Sequence, residues 1–331
     1  MGTPDTVTKA LMGDNKYFAD VFNYYLYDGK QVIDPSKLSA KDITELALPF
    51  GADGKPIAVQ KLRDVLKSVV IMEDEKAAYL LLGLENQMYL HYAMIIQNML
   101  YDALDYSDQV RLIAKKHREE AKENTEGKKQ DGNEFLSGLS KDDKLVPVIT
   151  LTLYFGADEW TAPTSLYEML DIPDKGLLRY ISDYKLNLLT PESIADNDFD
   201  KFQTEMKQLL KYIKYSKDRR KLDELVHQDP VYEAVSGEVA TVIETVTHTK
   251  LNIKQGEKVV NVKNAIDEMK AFAKAEGRAE GEAIGIEKGK LEGFFEALVG
   301  LVKDGLLPLS VAAQRSNMTV SEFEARAGLK A

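Results

Sequence analysis

Two apolar runs limit what this chain can become. Residues 77–84, AAYLLLGL, and residues 145–156, LVPVITLTLYFG, are almost continuous in hydrophobic side chains and show no polar face at helical spacing. The first, at eight residues, is short for a buried helix, and both suit a strand covered on both sides, as in the middle of an α/β sheet. Such a sheet needs flanking helices, and the sequence supplies them. Residues 16–27, KYFADVFNYYLY, place Phe18, Val21, Phe22 and Tyr25 at steps of three and four, and Asp28-Gly29 closes that segment as a turn. From Tyr89 to Glu123 a longer helix is expected, with Tyr92, Ile95, Ile96, Met99, Leu100, Ala103 and Leu104 on its apolar side and a polar end, AKKHREEAKEN, projecting into solvent.

The remaining segments complete an α/β order. Residues 43–50 and 57–71 read as strands and Met72 to Lys76 as a polar loop. Residues 124–144 read as a turn-rich loop, 164–171 as a short helix, and YKLNLL (184–189) as a further strand. The expectation is an α/β fold with a mixed sheet. Strand signals fade after about residue 198, and 199–227, 231–249 and the remainder read as helical. The expected organisation is a core over 1–197, a helical segment over 198–270 and a helical tail over 271–331.

Composition narrows the chemistry. With no cysteine, disulfides, thiolate nucleophiles and cysteine zinc sites are excluded. The first residues, MGTPDTVTKALMGDNKYF, hold no apolar run of signal-peptide length and no segment reaches that of a membrane span, so the expected place is the cytoplasm, without a membrane partner. The net charge of −11 argues against coating nucleic acid by bulk attraction. That charge is unevenly spread, because residues 201–221 hold eight basic and two acidic side chains. Lys207, Lys211, Lys214 and Lys217 step by four, three and three along one helical stripe, with Tyr212 and Tyr215 between them and Arg219 and Arg220 beyond. This is the footprint of phosphate contacts to DNA, and equally the pattern of a solvated helix face.

One constellation can carry chemistry. Asp64 stands in the strand pattern KLRDVLKSVVI, and Glu85-Asn86-Gln87 follows directly on AAYLLLGL. Residues 85 and 87 of a strand share a face, and Asp64 comes beside that face if the two strands pair. Two carboxylates meeting at a strand end hold a hard divalent ion such as Mg2+, which prefers oxygen ligands. The same residues also fit a plain strand end facing solvent. Asp20 or Asn23, on the first helix, fit either an additional ligand or a helix-stabilising role. Asp158-Glu159-Trp160 ends another strand. Gly51 to Gly54 reads as a hairpin turn without the lysine of a phosphate loop. His91, His117, His227 and His248 are scattered without ligand spacing and read as solvated.

The tail has its own signature. Gly277, Gly281, Gly285, Gly289 and Gly293 recur every four residues. Each costs a helix about 1 kcal/mol relative to alanine, which makes an isolated helix improbable there. The row fits a fraying linker or a close helix–helix seam that makes a homo-oligomer. Beyond it, SVAAQRSNMTVSEFEARAG has helix-turn-helix spacing, with Ala312-Ala313 inside and Asn317 at the turn.

Several passages together resemble one family: FADVFNYYLYDGKQVI (18–33), LRDVLK (62–67), YLLLGLENQ (79–87), MLYDALDY (99–106), LVPVITLTLYFGADEW (145–160), SLYEMLD (165–171) and DYKLNLLTP (183–191). The chain resembles the recombination-promoting nuclease / putative transposase family of the PD-(D/E)XK nuclease superfamily over about residues 5–250. The resemblance implies a restriction-endonuclease-like mixed sheet flanked by helices, here with a helical C-terminal extension. It implies a metal-dependent DNA endonuclease linked to recombination or transposition, using Mg2+ (or Mn2+). Asp64 and Glu85 match the acidic ligands of the motif. Gln87 falls where the superfamily usually has lysine; glutamine there is typical of this group, and its implied role is to orient the attacking water. The alternative is a catalytically silent DNA-binding or assembly module that retains the fold.

Overall fold

The computed structural model describes residues 4–41, 46–48, 57–59, 64–73, 76–123, 138–254 and 256–329. It opens on a helix that the sequence reading did not anticipate, α1 (Pro4–Gly13), which buries Leu11 and Met12. Helix α2 (Asn15–Tyr27) follows after Asp14, whose side chain accepts the Lys16 N–H at 2.9 Å as an N-cap. The expected face of α2 is buried, including Phe18, Val21 and Phe22. The helix ends where expected, at Asp28, which turns into the left-handed region at φ 53°.

The next elements are strands. β1 (Ser39–Ala40) precedes the pair β2 (Leu46–Leu48) and β3 (Ile57–Val59), which form a separate two-stranded sheet. β4 (Val65–Glu73) and β5 (Lys76–Gln87) form an antiparallel hairpin from Val65↔Leu84 to Glu73↔Lys76. Residues 57–71, read as one strand, are therefore two. The expected loop at 72–76 is mostly ladder, with 74–75 outside the described residues. The run read at 77–84 is longer as a strand because Glu85, Asn86 and Gln87 continue its pairing.

Helix α3 (Met94–Glu123) carries the chain across to β6 (Val148–Tyr154), which pairs parallel with β5. A parallel neighbour needs such a crossover, since a tight turn only reverses the chain. α4 (Leu166–Met169) is one short turn of helix, and β7 (Asn187–Leu189) adds in parallel to β6. The main sheet is therefore mixed and five-stranded, ordered β1-β4-β5-β6-β7. Its centre matches the sequence expectation: Leu82, Leu84, Leu151 and Leu153 have no exposed surface. Burying each such leucine contributes about 1.5–3 kcal/mol.

The α3 side of the sheet is unusually polar. Asn98 donates to the Thr152 hydroxyl at 3.0 Å. Thr150 donates to one Asp102 carboxylate oxygen, and the Tyr184 hydroxyl donates to the other at 2.6 Å. Such groups are tolerated in a core only because they satisfy one another.

After residue 198 the expected helices appear as α5 (Met206–Tyr215), α6 (Arg219–Gln228) and α7 (Gly237–Thr247). The expectation of helix alone is corrected by a two-residue ladder, β8 (Val235–Ser236) with β9 (Val259–Val260). The chain forms two compact units, Met1–Ala265 and Ile266–Ala331. Helices α5 to α7 thus belong to the unit that holds the sheet. Asp20 shows why: its buried carboxylate accepts the backbone N–H groups of Gln203 and Thr204, at 2.9 and 2.8 Å, and the Thr204 hydroxyl at 2.6 Å.

α8 (Val262–Lys303) runs without interruption through all five glycines. This agrees with the expected helical tail, although the glycines argue against a helix standing alone there. A Cβ built on any of the five meets nothing within 4 Å among the described residues, and the positions around them are exposed. Each glycine still costs propensity; surrounding alanines and pairs such as Arg278–Glu282, at 3.1 Å, offset part of it. In the second unit, Leu298, Ala312, Ala313 and Phe323 form a small core with α9 (Leu309–Arg315) and α10 (Val320–Ala327). Asn317 makes the turn at φ 52°, and Thr319 and Glu322 form a capping box. The helix-turn-helix spacing is realised, but α10 presents Glu322 and Glu324 beside Arg326 rather than a basic stripe.

Candidate active site

The hairpin register brings Asp64 and Glu85 together. Val65 pairs with Leu84, so Asp64 and Glu85, one step further on each chain, stand opposite one another at the open end. Asp64 is fixed by its Oδ2, which accepts the Asn86 backbone N–H at 2.8 Å. Glu85 is 2% exposed, and Gln97 of α3 donates to its Oε2 at 3.3 Å while also donating to the Tyr101 hydroxyl. Gln87 lies two residues on, on the same strand face. All three line one cavity of about 410 Å³.

Residues that sequence reasoning missed complete this cavity. Pro4 and Asp5 reach it from the start of α1, His91 from the segment leading into α3, and Gln97 from α3 itself. Lys9 of α1 places its ammonium 3.8 Å from Asp64 Oδ1. The one sequence signal for α1 was the Val7–Leu11 spacing, and the Gly13-Asp14 break keeps it apart from the stronger pattern that follows. His91 corrects the solvated reading, since its Nδ1 is enclosed and has no hydrogen-bond partner among the described residues.

Electrostatics mark Asp64. Burial pushes its carboxyl above the ordinary carboxylate value, opposed by the Asn86 N–H; the nearby Asp5 charge raises it further and Lys9 lowers it. A carboxylate held in this way favours whatever restores its charge balance, and a divalent cation does so. The carboxylate oxygens of Asp64 and Glu85 are of the kind a hard ion prefers, and Asp5 lines the same cavity; these three are not gathered within 4.8 Å of one another, and the trio among the described residues that is so gathered is Asp223, His227 and Asp267.

The other residues singled out in the sequence fall elsewhere. Asp20 is consumed by Gln203 and Thr204. The side-chain oxygen of Asn23 accepts the N–H groups of Val32 and Ile33, and its amide donates to the Ile33 carbonyl. Neither lines the cavity, which corrects the reading of them as further ligands. Gly51 to Gly54 lies outside the described residues. His117 pairs with Asp143, and the ring nitrogen of His227 meets the Asp223 carbonyl.

A second cavity, of about 740 Å³, shares Pro4, Met88, Tyr89 and Leu90 with the first and extends past Asp158 to Lys217 and His248. Tyr89 stands between the two and is 74% exposed. The basic stripe is partly engaged within the chain. Lys207 pairs with Asp200 at 2.7 Å and Lys214 with Asp196 at 3.2 Å, while Lys211 lies over the Phe199 ring. Lys217 pairs with Asp158 yet remains exposed, as do Arg219 and Arg220 at the start of α6.

The family model described as "Putative transposase, YhgA-like" matches residues 59–235, just over half of the chain. The chain belongs to this family. The matched span contains Asp64, Glu85, Gln87 and the basic stripe, and it begins after α1, so Asp5 and Lys9 lie outside it. No curated protein and no solved structure matches the chain. Among the described residues, no helix is long and apolar enough to cross a membrane.

Proposed function

We propose that this member of the YhgA-like family is a metal-dependent DNA endonuclease acting in transposition or recombination, and that its sheet is a restriction-endonuclease-like core. The observation that carries the reading is the placement of Asp64 and Glu85 opposite one another on the hairpin, facing one cavity, with Asp64 fastened by the Asn86 N–H. The family supports a transposition-related role and DNA as the partner.

In this reading Asp64 and Glu85 would hold Mg2+ (or Mn2+), with Asp5 adding negative charge to the same cavity. The ion, when bound, lowers the pKa of a coordinated water and offsets charge on the scissile phosphate. Gln97 holds the Glu85 carboxylate in orientation. Gln87, a neutral amide on the same face, donates to or accepts from the attacking water. The water oxygen bonds to phosphorus as it gives up one proton to solvent, the P–O bond to the sugar breaks, and the leaving sugar oxygen takes up one proton from solvent. Lys217, Arg219 and Arg220 follow the DNA backbone from the second cavity. Lys207, Lys211 and Lys214 have a smaller share, because Asp200 and Asp196 engage the first and last and Lys211 lies over the Phe199 ring.

The test is nicking of supercoiled plasmid by the purified chain. Expected is conversion that needs Mg2+ or Mn2+ and is abolished by Asp64→Ala with Glu85→Ala. Cleavage by the double variant would remove the assigned site. The engaged lysines and the amide at Gln87 favour a second reading, a silent DNA-binding or assembly module. It predicts DNA binding with no calorimetric metal binding at millimolar Mg2+.

A further inference from the structure

We infer that Lys9, on α1, is the fixed cation of the site and contacts the scissile phosphate; this rests on the nuclease reading above. The charges in the cavity motivate it. Asp5, Asp64 and Glu85 carry three formal negative charges, and Lys9 brings one positive charge to Asp64. The remainder of two is what one divalent cation neutralises. A phosphodiester then adds one negative charge, and a second develops as water attacks phosphorus. Gln87 has no charge to offer, so a cation besides the metal is needed where that charge grows.

Lys9 is placed to meet it. Its Nζ lies 3.8 Å from Asp64 Oδ1, beyond hydrogen-bond length, and its side chain is 42% exposed. The ammonium is attracted to the site without being locked, and a short swing brings it to an incoming phosphate oxygen. The backbone that carries it is held firmly. The buried Lys67 of β4 donates to the Gly13 carbonyl at the end of α1 and to the Asn15 side chain, both at 2.7 Å. Leu11 and Met12 anchor the same helix in the core. Lys67 lies three residues beyond Asp64, so one strand positions both the carboxylate and the helix that brings the cation to it.

The experiment uses the full chain as wild type, Lys9→Met, Lys9→Arg and Asp64→Asn. Mg2+ affinity is measured by calorimetry without DNA, and plasmid nicking under single-turnover conditions at saturating metal. Losing a positive charge beside the ligands favours metal binding, whereas losing it beside the phosphate slows the reaction. Expected for Lys9→Met is Mg2+ binding tighter by about threefold or more and nicking slower by about 10²-fold. Lys9→Arg is expected to recover most of the rate. A merely structural lysine would move the two readouts together, with a lower Tm, and that result overturns the inference. Nicking by Lys9→Met within twofold of wild type overturns it while leaving the nuclease reading intact. A wild type that binds Mg2+ through Asp64 but does not nick overturns the nuclease reading, and the role of Lys9 with it.

Discussion

The Asp64 carboxylate accepts the backbone N–H of Asn86 at 2.8 Å, so the aspartate is fastened to the residue next to Glu85. The ladder thus sets the two carboxylates opposite one another, and the burial of the charged Asp64 opposes folding. Burial raises the Asp64 pKa, so the folded chain holds its proton at a pH where the unfolded chain has released it. Stability therefore falls as pH rises through that window, and the cost is fully present at neutral pH. Asp64→Asn keeps an acceptor for the Asn86 N–H and removes the charge. It is expected to raise the metal-free Tm at pH 7 by roughly 2–4 °C, the shift for about 1 kcal/mol in a domain of this size. Calorimetry should find Mg2+ binding lost. The Tm difference should vanish near pH 3; a lower Tm for the variant at pH 7 contradicts the argument.

Lys67 gives a second pH dependence of known sign. Burial pushes its ammonium down from the ordinary 10.5 to about 8. Between those values the unfolded chain carries a proton that the folded chain has released, so stability from this group rises with pH. Denaturant unfolding of wild type and Lys67→Met should show their difference shifting toward wild type from pH 8 to 10. The slope is at most about 1.4 kcal/mol per pH unit.

Asp20→Ala strips the buried acceptor from Gln203 and Thr204. The expected loss is on the order of 3 kcal/mol, from two stranded N–H donors and a charged acceptor. Melting should show it as a Tm lower by roughly 6–12 °C. Mg2+ affinity of the folded variant should stay within twofold of wild type; a tenfold loss would restore Asp20 as a ligand.

The basic stripe separates by exposure. Lys217→Ala, in the second cavity, should weaken DNA binding and reduce the slope of log affinity against log salt by about 0.9. Lys207→Ala, already paired with Asp200, should leave both nearly unchanged. Fluorescence anisotropy across a salt series checks this, and equal effects would show the stripe acting as one surface.

In α8, Gly281→Ala, Gly285→Ala and Gly289→Ala each place a methyl group where nothing lies within 4 Å. Together they should increase helicity by circular dichroism and raise the melting of that segment, at about 1 kcal/mol each. If copies of the chain meet along this row, light scattering will instead report a lower mass for the triple variant.

The centre of the sheet was legible because the apolar runs have no helical alternative, and Asp28-Gly29 because turn chemistry is local. Ala312, Ala313 and Asn317 took their expected places for the same reason. The site was half legible. Asp64, Glu85 and Gln87 could be grouped once the two strands were assumed to pair. Asp5 and Lys9 could not, since α1 has a narrow apolar face and its meeting with Asp64 depends on packing across more than fifty residues. Asp20 stayed open between a ligand and a structural role because a carboxylate's partner is invisible in sequence, and here that partner is 183 residues away. The glycine row was legible as part of a helical tail, but not the uninterrupted length of that helix, because propensity counts cost per residue and omits what the flanking turns of the same helix supply.

The central position of β5, antiparallel to β4 and parallel to β6, makes the location of this site a matter of parity. Adding one residue between Leu80 and Leu84 would exchange the two faces of everything beyond it, sending the glutamate to the leucine side. Adding two would restore the faces and displace the carboxylate along the ladder by about 7 Å. Insertions in the hairpin turn leave the count from Asp64 to Glu85 across the ladder untouched. Length added between Glu73 and Lys76 therefore leaves the site in register, while a change in the length of β5 does not.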